Sequence, residues 1–152
     1  MNEFKPFENK LAGLIASLSP AARRRMTAEI AKQLRTSQQQ RIKRQQAPDG
    51  TPYAARKRQP VKGKKGRLKR AMFTKLRTNR YMKAKGTSDT AVVEFAARVQ
   101  RMARVHQEGL VDQPSRFSQK VKYDDRQLLG FNTLDFELVD KIVIGIIRAG
   151  CN

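Results

Sequence analysis

The apolar positions at the start of the chain recur every three or four residues. Phe4, Phe7, Leu11, Ile15 and Leu18 share one helical face, which predicts an amphipathic helix over 3–18. Ser19-Pro20 then restarts the chain, with Ser as N-cap and Pro at the first helical position, where its missing N–H costs nothing. A second, long helix follows to about Gln46. Its apolar residues Met26, Ile30, Leu34 and Ile42 lie at multiples of four, and its other faces are Arg, Lys and Gln, so it buries one narrow side. Pro48 disfavours a helical conformation at Ala47 and stops it. Strand-like segments at 71–77, 79–84 and 90–95 come next, the clearest being Ala91-Val92-Val93-Glu94-Phe95. Turns are expected at Thr78-Asn79 and at Lys85-Gly86-Thr87-Ser88.

A short helix over 97–107 places Val99, Met102, Ala103 and His106 on one side, and Gly109 stops it. The polar loop 110–122 leaves room for another strand near 121–123. The last helix, from about Leu134 to Arg148, has the strongest apolar face: Leu138, Val139, Ile142, Val143, Ile146 and Ile147. Six large aliphatics exceed what one narrow face of a small core uses, so part of that surface is expected to pack against another subunit. The order of elements predicts an α+β fold: N-terminal helices including one long helix, a small antiparallel sheet with the helices on one side, and a C-terminal helix. At 152 residues and 17.4 kDa, residues 1–152 are expected to form a single domain.

Thirty-three Lys and Arg against thirteen Asp and Glu give a formal net charge of +20. Residues 54–86 carry fourteen basic side chains and no acidic one, whereas residues 87–152 balance at nine and nine. Within the excess, residues 54–70 hold almost nothing apolar and cannot repay their ordering by burial, which predicts a flexible basic arm. Its cations Lys57, Arg58, Lys62, Lys64, Lys65, Arg67, Lys69 and Arg70 would repel one another in a structured monomer unless an anionic partner faced them. That partner is an acidic protein surface or nucleic acid. Tyr53, Phe73 and Tyr81 flank the arm and none lies inside it, so base-specific readout is not expected.

Catalytic chemistry finds little support. His106 is the only histidine and Cys151 the only cysteine, forty-five residues apart, so a Cys-His dyad would need the C-terminus pinned against the third helix. One cysteine cannot form an intrachain disulfide, which suits a reducing compartment, and no Cys/His cluster has metal-ligand spacing. Pro48-Asp49 could open a nuclease metal site, yet no Asp-x-Lys or Glu-x-Lys follows it. Gly63-Lys64-Lys65-Gly66 matches the G-x-x-G of RNA-binding KH loops, but Pro60 and the lysines around it argue against flanking helices. The P-loop spacing is absent. Lys10 followed by Leu11–Leu18 imitates a signal peptide, but Glu3 and Glu8 cancel the positive flank that secretion requires. No apolar run approaches the roughly 20 residues of a membrane span. No enzyme activity, cofactor, metal, membrane or small-molecule substrate is expected.

Four segments, in order, resemble the phage virion morphogenesis, or tail completion protein S, family. Pro48-Asp49-Gly50-Thr51-Pro52-Tyr53 followed by Arg56-Lys57 is similar to that family's PDG-x-P-[YW]…R turn, and Met72-Phe73-Thr74-Lys75-Leu76-Arg77 to the strand after it. Ala103-Arg104-Val105-His106-Gln107-Glu108-Gly109 resembles its A-x-[VI]-H-Q-x-G segment. Arg126-Gln127-Leu128-Leu129-Gly130-Phe131, then Asp135, resembles the R-x-LLG-[LF]…D lead into the last helix. A proline often precedes that arginine in the family, whereas this chain has Asp124-Asp125.

The resemblance implies a structural role: completing the tail or joining it to the filled head at the neck, as a ring of identical subunits. It implies other copies of the chain and tail and head-completion proteins as partners, with DNA in the channel a further candidate for the arm. It places the protein in the virion at the head–tail junction, and in the host cytoplasm during assembly. Gly50, Gly109 and Gly130 are expected to serve backbone geometry, and Leu128 and Leu129 packing. The alternative reading is a non-specific nucleic-acid-binding module, which would account for the charge directly.

Overall fold

A computed structural model of the chain describes residues 5–56 and 71–150. The basic stretch 57–70, Phe4, the side chain of Phe7, and Cys151 lie outside the described residues. The elements run α1 (Lys5–Ala16), α2 (Pro20–Lys43), β1 (Met82–Gly86), β2 (Ala91–Phe95), α3 (Ala97–Glu108), β3 (Val111–Asp112), β4 (Val121–Lys122) and α4 (Thr133–Gly150). The fold is α+β, as the apolar pattern predicts. The chain forms two compact units: Met1–Arg35 with Ala84–Val93 and Thr133–Asn152, and Thr36–Lys83 with Glu94–Asn132. Helix α2 and the β1–β2 ribbon each contribute residues to both.

In the first unit the thin stripe of α2 does what its spacing implies. Met26, Ile30 and Leu34 are buried against Ile142 and Val143 of α4. Leu11, Ile15 and Leu18, Ala91 and Val93, and Leu138, Val139, Ile146 and Ile147 pack around them. Full burial of one such aliphatic is worth about 1.5–3 kcal/mol, so this cluster dominates the unit's stability. The Oγ of Ser19 accepts the Ala22 N–H at 3.1 Å, the N-cap bond that the Ser-Pro pair predicts. Thr27 donates its hydroxyl to the Thr87 carbonyl, and Arg23 Nε donates to the Ser88 carbonyl at 3.2 Å, tying the 87–90 turn to α2. Of the six aliphatics of α4, two are buried in their own unit's core and four are half-buried around it. The apolar residues of α4 that face outward are instead Leu134 and Phe136, at 70% and 60% exposure.

Several boundaries differ from the sequence expectation. Helix α2 ends at Lys43, short of Gln46, because Gln45 takes a left-handed conformation at φ 58° and Gln46 bridges to Pro52. Residues 71–77 are not a strand. Phe73 sits at φ 66°, and the N–H groups of Arg77 and Thr78 bond back to Phe73 and Lys75, winding the segment into consecutive turns. Phe73 and Leu76 are three apart, a turn spacing that short apolar runs do not distinguish from a strand. The strand expected at 79–84 lies at Met82–Gly86. Among the described residues the strands form two two-stranded sheets, β1–β2 and β3–β4. The second is antiparallel, with Val111 opposite Lys122 and Asp112 opposite Val121. On α3, Ala103 and Val105 are buried while Met102 is 48% exposed, so the buried face lies slightly round from the expected one.

Candidate functional site

The second unit gathers the motif residues into one place, starting from the 48–53 turn. The Ala47 N–H bonds to the Thr51 carbonyl and the Gly50 N–H to the Ala47 carbonyl, both at 2.9 Å, with Gly50 at φ 89°. The carboxylate of Asp49 accepts the Thr51 N–H at 2.9 Å, and that bond holds its pKa below the ordinary carboxylate value. Pro48 is buried, and its carbonyl accepts from Asn132 Nδ2 at 3.1 Å. The Tyr53 hydroxyl donates to the Gln127 carbonyl at 2.9 Å. Burial raises the Tyr53 pKa to about 12. A Cβ on Gly130 would stand 2.7 Å from Pro48 Cγ and 2.6 Å from Gln127 Nε2, so the first and last motifs touch where only glycine fits.

Three glutamines hold the connecting backbone. Gln107 Nε2 donates to the Leu129 carbonyl at 3.0 Å while its Oε1 accepts the Leu129 N–H at 3.2 Å. Gln38 does the same for Gly130, at 3.0 and 3.3 Å, and Gln45 for Met72, at 2.9 and 2.8 Å. A primary amide offers one donor and one acceptor side by side, so each glutamine pairs with a peptide group as a neighbouring strand would. Arg41, itself buried, adds a bond to the Gly130 carbonyl at 3.0 Å and another to Gln38 Oε1 at 2.9 Å. Leu128, just before the clamped Leu129 and Gly130, is fully buried.

Arg126 holds the backbone at Ala54 and Ala55. It is 5% exposed, donates from Nε to the Ala54 carbonyl at 3.0 Å and from an Nη to the Ala55 carbonyl at 3.1 Å, and lies 3.7 Å from the Asp124 carboxylate. Its backbone N–H bonds to the His106 carbonyl at 2.7 Å. His106 belongs to a line of edge-to-face rings, with Tyr53 5.8 Å from Phe73, Phe73 5.1 Å from His106, and His106 4.8 Å from Tyr123. Burial and then the Arg126 charge lower the His106 pKa, with Asp112 partly opposing them. Its Nδ1 is buried without a hydrogen-bond partner. Gly109 ends α3 in the left-handed region, at φ 64° and ψ 51°, with its N–H on the Val105 carbonyl. Beside the rings opens a cleft of about 440 Å³ lined by Arg56, Met72, Phe73, His106, Pro114, Val121, Tyr123, Asp124 and Arg126.

The structure thus brings together Pro48, Gly50, Tyr53, His106, Gln107, Gly109, Arg126, Leu128, Leu129 and Gly130, while Ala103 is buried inside α3. The arm cations Lys57 to Arg70 lie outside the described residues. Sequence reasoning missed Gln38, Arg41 and Gln45. A signal was present: Gln38 occupies the multiple-of-four position between Leu34 and Ile42, and it is 3% exposed. Among the described residues no group of three or more His, Cys, Asp or Glu could hold a metal ion. No described helix is long and apolar enough to cross a membrane.

The polar motif residues of this hub hold backbone: Asp49, Tyr53, Gln107 and Arg126 all bond to main-chain groups. Residues 2–147 match the phage virion morphogenesis family, and the chain belongs to it. It is 48% identical over 145 residues to the tail completion protein S of Escherichia phage P2, covering 95% of this chain and 97% of that protein. No solved structure matches it.

Proposed function

We propose that this protein completes the phage tail and joins it to the filled head, acting as a ring of identical subunits at the neck, and that it does so without catalysing a reaction. The observation that carries this reading is the near end-to-end identity to a tail completion protein. The hub agrees in kind, because it spends its polar side chains on holding backbone. Residues 1–152 act as one domain, since one helix and one ribbon supply both compact units. The basic stretch 54–70 meets an anionic surface, either an acidic face of a neighbouring neck protein or the DNA in the channel.

The test is electron microscopy of particles from a strain lacking the gene. Filled heads beside separate tails are expected, and normally joined particles would overturn the role.

A further inference from the structure

The β3–β4 hairpin carries two features that the role above does not use. Its loop is tightly organised. Ser118 Oγ accepts the Ser115 N–H and donates to the Ser115 carbonyl, both at 2.9 Å, while Gln113 Nε2 bonds to the Arg116 and Ser118 carbonyls. That turn presents Phe117 at 95% exposure, the most exposed large apolar side chain among the described residues. A lone surface apolar residue needs no explanation. A phenyl ring held outward by a pre-formed turn is different, because its ordering cost is met before any partner arrives.

The second feature is the cleft of about 440 Å³. Pro114 and Val121, at the two feet of the same loop, form part of its wall together with Met72, Phe73 and Tyr123. Phe117 follows Pro114 by three residues, so at most about 11 Å of chain separates it from the cleft wall.

Charge selects the occupant. The described residues of this unit carry fifteen Lys or Arg against six Asp or Glu. Arg116 and Lys120 are exposed beside Phe117, and Arg56 and Arg126 line the cleft. Its one carboxylate, Asp124, already faces Arg126 at 3.7 Å. A second copy docking through this same surface would bring the same positive charge to it, and like charges across an interface cost several kcal/mol.

We propose that the cleft and the Phe117 turn together dock an acidic peptide segment with large apolar anchors, carried by another structural protein of the virion. One anchor enters the cleft beside Phe73 and Tyr123, Phe117 packs on a second, and the flanking carboxylates meet the cations of the rim. The proposal rests on the assembly role, and it names the chemistry of one partner.

The test is selection of random short peptides, displayed on yeast, against the purified full chain at physiological salt. Enriched peptides should combine a large apolar residue with flanking Asp or Glu. Their binding should fall about ten-fold or more in Phe117→Ala and in Val121→Trp, which fills the cleft, and should weaken as salt rises. Phe117→Ala changes an exposed side chain, so it keeps the test valid if Val121→Trp unfolds. No enrichment, enrichment of neutral or basic sequences, or undiminished binding by Phe117→Ala would overturn the proposal. So would self-association of the chain that Phe117→Ala abolishes, which would identify a second copy as the occupant. Failure here is separable from failure of the role: if the gene deletion blocks head–tail joining but Phe117→Ala supports full infectivity, only the docking surface is lost.

Discussion

Gln107 and Leu129 exchange two hydrogen bonds across twenty-two residues, the glutamine amide standing in for a strand beside the Leu129 peptide. This pair joins the end of α3 to the segment before α4, and Gln38 and Gln45 repeat the device at Gly130 and Met72. The hub is therefore a set of clamps on irregular backbone. Each clamp satisfies peptide groups that the two short ribbons leave unpaired.

The clamp needs a donor and an acceptor at once. Gln107→Glu keeps the acceptor and loses the donor, leaving the Leu129 carbonyl only the longer bond from Gln127 Nε2, at 3.3 Å. Losing one such bond costs about 0.5–1.5 kcal/mol. Urea denaturation should show that loss in Gln107→Glu, with an unchanged slope. An unaltered midpoint would mean that water replaces the amide freely.

Gly109 is expected to tolerate no side chain. Its φ of 64° disfavours any L residue, and a Cβ there would lie 2.8 Å from the Asp125 backbone nitrogen. The left-handed conformation alone costs about 1–2 kcal/mol, and relieving the contact adds to it. Gly109→Ala should lower the melting temperature by several degrees, seen by circular dichroism. Gly145, with nothing within 4 Å of its Cβ position, is the control, and Gly145→Ala should stabilise the exposed helix slightly.

His106 links stability to pH. Its folded pKa lies below its ordinary value of 6.5, chiefly because of burial. The unfolded chain therefore takes up a proton near pH 6.5 that the folded chain refuses, so stability falls as the pH drops below that value. Above it both states are neutral and the contribution vanishes. Denaturation midpoints measured between pH 7.5 and about 5 should fall in the wild type. The slope should be shallower in His106→Phe, which keeps the ring packing and removes the titration.

The basic stretch gives a prediction about assembly. Lys62, Lys64, Lys65 and Arg67 replaced together by Ser should reduce the yield of joined particles most at low salt, the difference from wild type narrowing as salt rises and screening shortens to about 8 Å at physiological ionic strength. Salt-dependent binding of the purified protein to duplex DNA, lost in the same variant, would identify DNA as the partner. Wild-type yield of infectious particles at every salt concentration would show that these charges have no assembly role.

Much of the framework was legible in the residue order. A period of three to four located α1, α2 and α4, because an amphipathic helix must present its apolar side chains on one face wherever the chain then goes. Ser19-Pro20 and Gly109 marked ends by local backbone chemistry, and Ala91–Phe95 was long and β-branched enough to stand alone as a strand. The motif order across 48–130 indicated the family, and the match over residues 2–147 bears it out. Three things depended on tertiary contacts. Residues 71–77 became turns because Phe73 had a ring to meet in Tyr53 and His106, and a spacing of three does not say which partner will be there. The aliphatics of α4 were claimed by α1, α2 and β2, a competition between surfaces that no single segment reveals. Gln38, Gln45 and Gln107 became clamps because the fold left peptide groups of Gly130, Met72 and Leu129 without strand partners. A glutamine's two hydrogen-bonding atoms are the same in solvent and in a core, and only the position of distant backbone decides which use they serve.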